Sequence, residues 1–562
     1  MSLTDSVVYQ IYPKSFRDST GDGVGDLRGI IEKVDYIASL GVDHVWFNPF
    51  FPSPGRDNGY DISDYCAIDP AMGTMEDFEE LVAALGEHGI GVMLDMVLNH
   101  VSTDHEWFQR ALAGDSAYQD YFYLLPPKED GSLPTNWVSK FGGPAWAPFG
   151  DTGLYYLCLY DRTQADLNWH NPAVRAQAAR VVNFWRSKGV KDFRFDVINV
   201  IGKTLPLEDA PADTDDRYMY TDGPLVHDYL RELSAASFGQ DPDAMTVGEM
   251  SSTTVEACVG YSNPANGELS MVFSFHHLKV DYADGAKWTR IPYDFVALKR
   301  ILNEWALGMQ AGGGWNALFW NNHDQPRAID RFADPVNYHV ESATMLATVI
   351  HLLRGTPYVY MGEEIGMTDP AYLAIEDYVD VEARNAYKEL TDGGMEPQEA
   401  FAVIHSKARD NARTPMQWNA EVPGAGFTTG RPWLRPTNQG TVNVEREEAQ
   451  GRILPYYRRL IALRKELPII SRGTYAPYLM EHEDVLAYIR KYEGSRLLVL
   501  CSFRGRDAEM TVPEGFTAAR ILIGNYDGND RTRSSAELPA VTGRLEAGVI
   551  RLRPYEAIAL LT

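Results

Sequence analysis

Short apolar runs that end in polar residues alternate with amphipathic, helix-like stretches through the N-terminal and central parts of the chain. The runs are VVYQIYP near Val7, DHVWFNP near Asp43, GIGVMLDMV near Gly89, DFRFD, MTVGE, LFWNNHD and TPYVYMGEE. This alternation predicts βαβ units and a parallel sheet. Seven or eight such runs over about 360 residues favour a closed (β/α)8 TIM barrel over an open doubly wound sheet. The predicted fold class is therefore α/β.

Two stretches depart from this pattern, and a third replaces it. Residues 101–171 are rich in Gly, Pro, Trp and Tyr, which predicts a subdomain inserted after the third strand, over the barrel mouth. Residues 369–431 are polar and acidic and predict helices and a loop on the rim. Residues 473–562 show short alternating segments typical of an antiparallel β-sandwich. The barrel would then comprise residues 1–100 and 172–472.

Composition limits the classes of partner. A chain of 562 residues exceeds one hydrophobic core and implies roughly three or four packed units. The formal net charge of -27 argues against nucleic acid and anionic membranes, which both require a basic face. We find no apolar stretch long enough to predict a membrane span.

The cysteines suggest the compartment. The sequence contains 4 cysteines, Cys66, Cys158, Cys258 and Cys501, with no CxxC spacing. Neither a zinc site nor a disulfide framework is therefore indicated. With no basic and apolar leader at the N-terminus, reduced thiols predict a cytoplasmic protein.

Acids stand at the ends of three apolar runs: Asp196 in DFRFD, Glu249 in MTVGE and Asp324 in LFWNNHD. A carboxylate at a buried strand end is costly and needs a reason. Barrel enzymes place their active sites at the carboxyl ends of the strands. Glycoside hydrolysis needs one carboxylate as nucleophile and a second carboxyl group as proton donor. The alternative for any one acid is a buried ion pair.

A separate motif, DSTGDGVGD, has the oxygen spacing of an EF-hand loop. The predicted ligands of a structural Ca²⁺ or Mg²⁺ are Asp18, Thr20, Asp22, the Val24 carbonyl and Asp26. An empty turn is the alternative. We expect neither a catalytic metal there nor an organic cofactor.

Four ordered blocks resemble the α-amylase family of glycoside hydrolases: DMVLNH ending at His100, FRFDV, VGE, and NNHD ending at Asp324. The resemblance runs over nearly the whole chain. It implies a retaining mechanism in which Asp196 is the nucleophile, Glu249 the acid/base and Asp324 the transition-state stabiliser. Arg194, two residues before Asp196 on the same strand face, would keep the nucleophile ionised.

The resemblance also implies a pocket for one glucose unit. In DNGYDISDY, Tyr60 would stack on the sugar and Asp61 would bind its hydroxyl groups. The remaining substrate-binding residues implied are His100, Gln164, Arg194, His323 and Arg327. A pair of Asp61 and Arg327 would close the end of the pocket, which implies exo action on short substrates. Loop packing is the alternative for Tyr60 and His100.

The segment ELSMVFSFHHLKVDYADGAKW resembles the subgroup of this family that acts on α,α-trehalose 6-phosphate. Lys279 and Lys287 would put positive charge near the mouth, where a sugar phosphate needs it. The alternative is two solvated lysines that pair with Asp281 and Asp284.

The favoured activity is hydrolysis of α,α-trehalose 6-phosphate to glucose and glucose 6-phosphate through a β-glucosyl intermediate on Asp196. The alternative enzyme is an oligo-1,6-glucosidase that acts on isomaltose-type oligosaccharides. A non-catalytic sugar-binding homologue is a third hypothesis, and capture of the intermediate by a sugar instead of water is left open.

Overall fold

Eight parallel strands form the central sheet of the computed structural model, which describes residues 3–526 and 539–562. They are β1 (Val8–Ile11), β2 (His44–Phe47), β3 (Gly91–Met96), β4 (Asp192–Phe195), β5 (Thr246–Glu249), β6 (Met271–Phe273), β7 (Ala317–Leu318) and β8 (Thr356–Tyr360). The order in the sheet is β6-β5-β4-β3-β2-β1-β8-β7. A parallel bridge between Val272 and Asn316 joins the two edges. The predicted closed barrel is confirmed.

Helices follow the strands around the outside of the barrel. They are Leu27–Ile31, Val34–Leu40, Met75–Glu87, Pro172–Ser187, Val226–Ala236, Val255–Ser262, Phe295–Gly312, Ala328–Phe332, His339–Leu352, Val444–Gln450, Ile453–Glu466 and Pro468–Arg472. Local sequence sets their ends: a capping box of Thr74 and Asp77 starts Met75–Glu87, and the left-handed Gly313 ends Phe295–Gly312.

The insertion after β3 is a small unit with its own core. It contains the helices Glu106–Leu112 and Ser116–Gln119, and the strands His100–Ser102, Leu124–Leu125, Trp146–Pro148, Tyr155–Leu157 and Gln164–Asp166. Its apolar cluster includes Trp137 and Trp146, and it extends to Val197 and Tyr220, which follow β4. The inserted unit therefore packs against the loop that follows β4.

A helical segment follows β8. It contains Val381–Asp392, Pro397–Lys407 and Asp410–Arg413, and a long loop continues to residue 443. A separate cluster that includes Tyr378, Ala383 and Ile404 holds these helices together. The predicted order, helices and then a loop, is the one observed.

The C-terminal region is an antiparallel sandwich, as predicted. One sheet pairs Thr474–Tyr478, Val485–Tyr492, Ser495–Ser502, Ala557–Leu561 and Arg520–Gly524, and the other pairs Ala508–Thr511, Val549–Leu552 and Leu545–Glu546. Residues 527–538 of the predicted domain lie outside the described residues. Apolar side chains from both sheets fill the space between them.

The outer face of the five-stranded sheet packs against the barrel. Its residues Tyr475, Tyr488 and Val499 belong to the same apolar cluster as the barrel interior. The Tyr488 hydroxyl donates to the carbonyl of Val349 on a barrel helix at 3.0 Å. The ammonium group of the barrel residue Lys299 donates to the carbonyl of Leu479 at 3.0 Å. The sandwich and the barrel thus share one hydrophobic core.

Within residues 3–526 and 539–562, no helix is both long and apolar enough to cross a bilayer. Cys66 is exposed and Cys158, Cys258 and Cys501 are buried, and all four are free thiols.

Candidate active site

The predicted acids meet at the carboxyl ends of the barrel strands. Asp196 directly follows β4, Glu249 is the last residue of β5, and Asp324 lies in the turn beyond β7. All three line one cavity of about 580 Å³. Asp196 and Glu249 are 7% and 9% exposed, respectively, so both carboxyl groups lie at the bottom of the cavity.

One guanidinium connects the carboxyl groups. Arg194, fully buried on β4, donates from Nη1 to Oδ1 of Asp196 at 2.7 Å and to Oδ1 of Asp95 at 2.6 Å. Its Nη2 forms an ion pair with Oε2 of Glu249. Because Asp196 and Glu249 contact the same guanidinium, they lie close together. Two carboxyl groups that line one cavity are the pair of groups that glycoside hydrolysis requires.

The backbone is strained immediately after Asp196. Val197 adopts a left-handed conformation with φ of 39°, a geometry that β-branched residues avoid. Such strain costs about 1–3 kcal/mol and persists where the surrounding structure imposes it. Here the turn ends β4 abruptly and leaves the Asp196 carboxylate facing the cavity.

Asp324 is held ionised by its neighbours. Nη2 of Arg413 and Nη1 of Arg409 lie 2.9 Å and 3.4 Å from its Oδ1. Burial alone would raise the pKa of Asp324, but the contact with His323 and the two guanidinium groups hold it well below its usual range. A negative charge therefore faces the cavity that Asp196 also lines.

Of the predicted ring side chains, Tyr60 and His100 border the cavity and His323 is buried. The Tyr60 ring stacks on His323, with centroids 5.2 Å apart and planes 3° from parallel. The Tyr60 hydroxyl donates to Asp95 at 2.8 Å. Burial lowers the pKa of His100 and of His323, so both imidazoles are neutral at physiological pH. Tyr60 and His100 border the cavity directly.

The predicted closure of the pocket by Asp61 and Arg327 is wrong. Asp61 is fully buried and accepts hydrogen bonds from Ser53 and from the amides of Arg56 and Asp57, at 2.8–3.1 Å. Arg327 donates to the carbonyl oxygen of Met361 at 2.8 Å and to that of Ala412 at 3.2 Å. Neither side chain borders the cavity, because each one braces a neighbouring loop.

Asp57 and Arg409 pair on the wall of the cavity instead. Nη2 of Arg409 lies 3.0 Å from Oδ1 of Asp57, and both residues line the cavity. Asp380 holds the same guanidinium at 2.5 Å. The pair links the loop after β2 to the helical segment after β8, so one end of the cavity is a wall of charged groups.

Gln164 supports this wall from behind. Its amide is fully buried and donates to Oδ2 of Asp57 at 3.1 Å. Nearby, the buried ammonium group of Lys203 lies 2.9 Å from Oδ1 of Asp166 and from the Asn99 side-chain oxygen. The structure thus gives Gln164 a contact with Asp57, whereas we had expected a contact with sugar.

The two predicted lysines differ in their surroundings. Both border the cavity. The Lys287 ammonium group binds both carboxylate oxygens of Glu382, at 2.6 and 2.7 Å. Asp281, the partner suggested by the alternative interpretation, is instead paired with Arg331 and Lys407. In the described part of the chain, Lys279 has no carboxylate within ion-pair distance.

Several residues of the site were missed by the sequence reasoning. Those that contact the predicted acids or line the cavity are Asp57, Asp95, Lys140, Arg217, Glu382, Arg409 and Arg413. Asp95 could have been found, because it lies within DMVLNH near the end of an apolar run. Arg409 and Arg413 have no comparable local pattern.

The loop with the EF-hand spacing is held by its own hydrogen bonds. Oδ1 of Asp18 accepts the amide of Thr20 at 2.9 Å, Asp22 accepts that of Val24 at 2.9 Å, and Asp26 accepts two loop amides. No three His, Cys, Asp or Glu side chains of residues 3–526 and 539–562 are gathered as a metal ion requires. No step of the mechanism below uses an ion here, and the structural ion stays a prediction.

Thermal melting tests the ion. If Ca²⁺ binds the loop of EDTA-treated protein, its addition should raise Tm by about 2–5 °C, because a ligand of the native state stabilises that state. The Asp22→Ala variant should show no such rise. The kcat should be the same with and without EDTA. A wild-type Tm that neither Ca²⁺ nor Mg²⁺ changes would contradict the prediction of a structural ion.

The fold and the arrangement of acids agree with sequence comparison. The family described as Alpha amylase, catalytic domain, matches residues 10–473. The chain belongs to the α-amylase family and is a glycoside hydrolase.

Relatives with named activities match over their whole length. The trehalose-6-phosphate hydrolase of Escherichia coli (strain K12) is 49% identical over 556 residues, which cover 99% of this chain and 98% of that protein. An oligo-1,6-glucosidase of Halalkalibacterium halodurans is 43% identical over 563 residues, with 98% and 97% covered. The crystal structure of Bacillus licheniformis trehalose-6-phosphate hydrolase superposes with a TM-score of 0.92 at 47% identity, covering 100% of this chain and 99% of that one.

Proposed function

We propose that this enzyme is a retaining, exo-acting hydrolase that cleaves α,α-trehalose 6-phosphate to glucose and glucose 6-phosphate. The observation that carries the proposal is Lys279, a cation without a carboxylate partner in the described structure, on the wall of the cavity that the three acids line. In a protein with a formal net charge of -27, such a cation suits an anionic substrate. The full-length similarity to trehalose-6-phosphate hydrolases supports the same substrate.

In the first step, an oxygen of Asp196 attacks the anomeric carbon of the terminal glucose. The bond from that carbon to the bridging oxygen breaks, and Glu249 gives its proton to this oxygen as glucose 6-phosphate leaves. Arg194 supplies one positive charge to Asp196, Glu249 and Asp95 together. Burial and the charge of Asp196 raise the pKa of Asp95 to about 7. The proton given to the leaving group would be carried by Glu249.

In the second step, water releases the glucose. Glu249, now a carboxylate, takes a proton from water while the water oxygen attacks the anomeric carbon and displaces Asp196. Two inversions at the same carbon give net retention. Capture of the intermediate by a sugar hydroxyl would follow the same path and give transglycosylation.

Asp324 and the wall of Asp57 and Arg409 would position the sugar. A fixed negative charge at Asp324 stabilises the positive character that develops on the ring in the transition state. Asp57 and Arg409 would offer acceptors and donors to the hydroxyl groups of one terminal glucose. This wall supports exo action.

The proposed function is tested by kcat/KM of the pure protein on trehalose 6-phosphate, trehalose and isomaltose. We expect trehalose 6-phosphate to be preferred by about 100-fold or more, since a phosphate makes charge-assisted bonds that neutral sugars lack. A preference for isomaltose would contradict the proposal. It would favour an oligo-1,6-glucosidase, the second candidate, for which the 43% identity to such an enzyme is the supporting observation.

Replacing Lys279 with alanine tests the contact with phosphate. The Lys279→Ala variant should raise KM for trehalose 6-phosphate by about 10-fold and leave KM for isomaltose nearly unchanged, because only the former loses an ionic contact. Equal effects on both substrates would make Lys279 a general pocket residue.

The four free thiols, three of them buried, suit a reducing compartment. The cytoplasm therefore remains the proposed location.

A further inference from the structure

Three cations from separate parts of the chain line one region of the cavity: Lys140, Arg217 and Lys279. Lys140 belongs to the inserted unit, Arg217 to the loop after β4, and Lys279 to the loop after β6. Arg217 is chelated by the carboxylate of its neighbour Asp215, at 2.8 Å from Nε. In the described part of the chain, neither Lys140 nor Lys279 has a carboxylate within ion-pair distance.

The Lys140 ammonium group lies between elements that converge on the cavity. It donates to the Ser251 hydroxyl just beyond β5. The rings of Tyr160 and Tyr220 have their centroids 5.4 Å and 5.7 Å from Nζ. These neighbours are uncharged, so none of them balances the ammonium group.

The charged groups that face Lys140 do not cancel one another. Burial and the positive charges of Arg217 and Lys279 lower the pKa of Lys140 to about 7. The carboxylates of Asp166 and Asp216 raise this pKa, but by less. Asp166 is already bound by Lys203, and Asp216 accepts the amide of Val138 at 2.7 Å. Burial and Arg217 also lower the pKa of Lys279. Asp215 offsets the charge of Arg217, so the unbalanced positive charge of the region lies on Lys140 and Lys279.

Lys287 is less suited to this role. Glu382 holds its ammonium group through both carboxylate oxygens, so its charge is already balanced. A phosphate that bound Lys287 would have to displace this carboxylate or lie beside it, at a cost in repulsion.

We propose that Lys140 and Lys279 bind the phosphate of the leaving glucose 6-phosphate, with Arg217 beside them, and that Lys140 takes up a proton when this dianion binds. The inference rests on the proposed function and adds the residues that bind the phosphate group. A phosphate monoester carries a charge of about -1.5 to -2 at neutral pH, which offsets the mutual repulsion of the three cations. Binding and protonation are then linked, so each favours the other.

Calorimetry with glucose 6-phosphate at pH 8, in buffers of different ionisation enthalpy, tests the linkage. At this pH the phosphate is already a dianion and free Lys140 is mostly neutral. We expect the wild-type enzyme to take up close to one proton for each ligand bound. Lys140→Met should bind about 10-fold more weakly and without uptake. Lys140→Arg, which is charged at every pH, should keep the affinity without uptake.

Two comparisons separate this inference from the proposed function. Lys388→Met, which removes an exposed cation of the helical segment, should behave as wild type, and glucose in place of glucose 6-phosphate should give no uptake. A wild-type preference for isomaltose over trehalose 6-phosphate would contradict the proposed function. A strong preference for trehalose 6-phosphate that Lys140→Met retains in full, or wild-type binding without uptake, would overturn the inference alone. A melt of each variant verifies that it is folded.

Discussion

Replacing Asp196 with asparagine is expected to lower kcat by about 10³-fold or more, equivalent to roughly 4 kcal/mol of transition-state stabilisation. The amide cannot form the glucosyl ester, whereas it can still accept a hydrogen bond from Arg194. The fold should therefore persist, with a Tm close to that of the wild type. Steady-state rates on trehalose 6-phosphate and a thermal melt check both expectations.

The Glu249→Gln variant distinguishes the two acids. Its kcat on trehalose 6-phosphate should fall by a similar factor. Its kcat on p-nitrophenyl α-glucoside in the presence of azide should fall much less. Nitrophenolate leaves without a proton, and azide attacks the intermediate without a general base. Asp196→Asn should not be rescued in this way with retention of configuration.

A matched control for Asp196→Asn lies at the other end of β4. Asp192 contacts His44 at 2.7 Å and accepts the amide of Met245 at 2.8 Å, away from the cavity. Asp192→Asn should lower Tm and keep kcat. Wild-type turnover in Asp196→Asn, or rescue of that variant in the manner expected for Glu249→Gln, would remove Asp196 from the role of nucleophile.

The second large effect is expected at Asp57. Asp57→Asn should lower kcat/KM by about 100-fold, because a carboxyl group that accepts sugar hydrogen bonds through two oxygens is replaced by an amide with one acceptor. Arg409 keeps its contacts with Asp380 and Asp324 in this variant, so the wall should remain in place. The loss should be similar for trehalose 6-phosphate and isomaltose, which share the terminal glucose.

Asp61→Asn is the natural comparison, because the two acids lie four residues apart in one loop. Asp61 holds that loop and does not border the cavity. Its replacement should act mainly on Tm and reduce kcat/KM less than Asp57→Asn does. The reverse order of effects would restore Asp61 as the sugar ligand.

The barrel and its acids could be predicted because their patterns are local. An apolar run followed directly by a carboxylate places Asp196 and Glu249 at strand ends, and parallel strands in a closed barrel bring those ends together. The same rule predicted the position of Asp324, although β7 is short and the acid lies beyond its end. The location of this chemistry was therefore specified within segments of a few residues.

The closed end of the pocket could not be predicted in the same way. DNGYD contains two aspartates, and only the folded loop decides that Asp57 faces the cavity while Asp61 binds backbone amides. The partner of Asp57 is Arg409. No strand-like apolar run precedes Arg409, so the sequence pattern did not indicate its position. Similarly, the Lys287 ammonium group is paired with the carboxylate of Glu382, which lies on the helix Val381–Asp392. Pairings between distant loops depend on tertiary geometry that no local pattern specifies.

The shared core of barrel and sandwich limits how far this enzyme can be shortened. A fragment that ended near Gly473 would keep the residues of the active site, but it would uncover the helices on which Tyr475, Tyr488 and Val499 pack. Lys299 would also lose the carbonyl groups that receive its ammonium group. Such a fragment should aggregate when expressed, because an exposed apolar face of that size promotes association. The C-terminal domain is therefore an obligatory part of the catalytic unit and cannot be exchanged as an independent module.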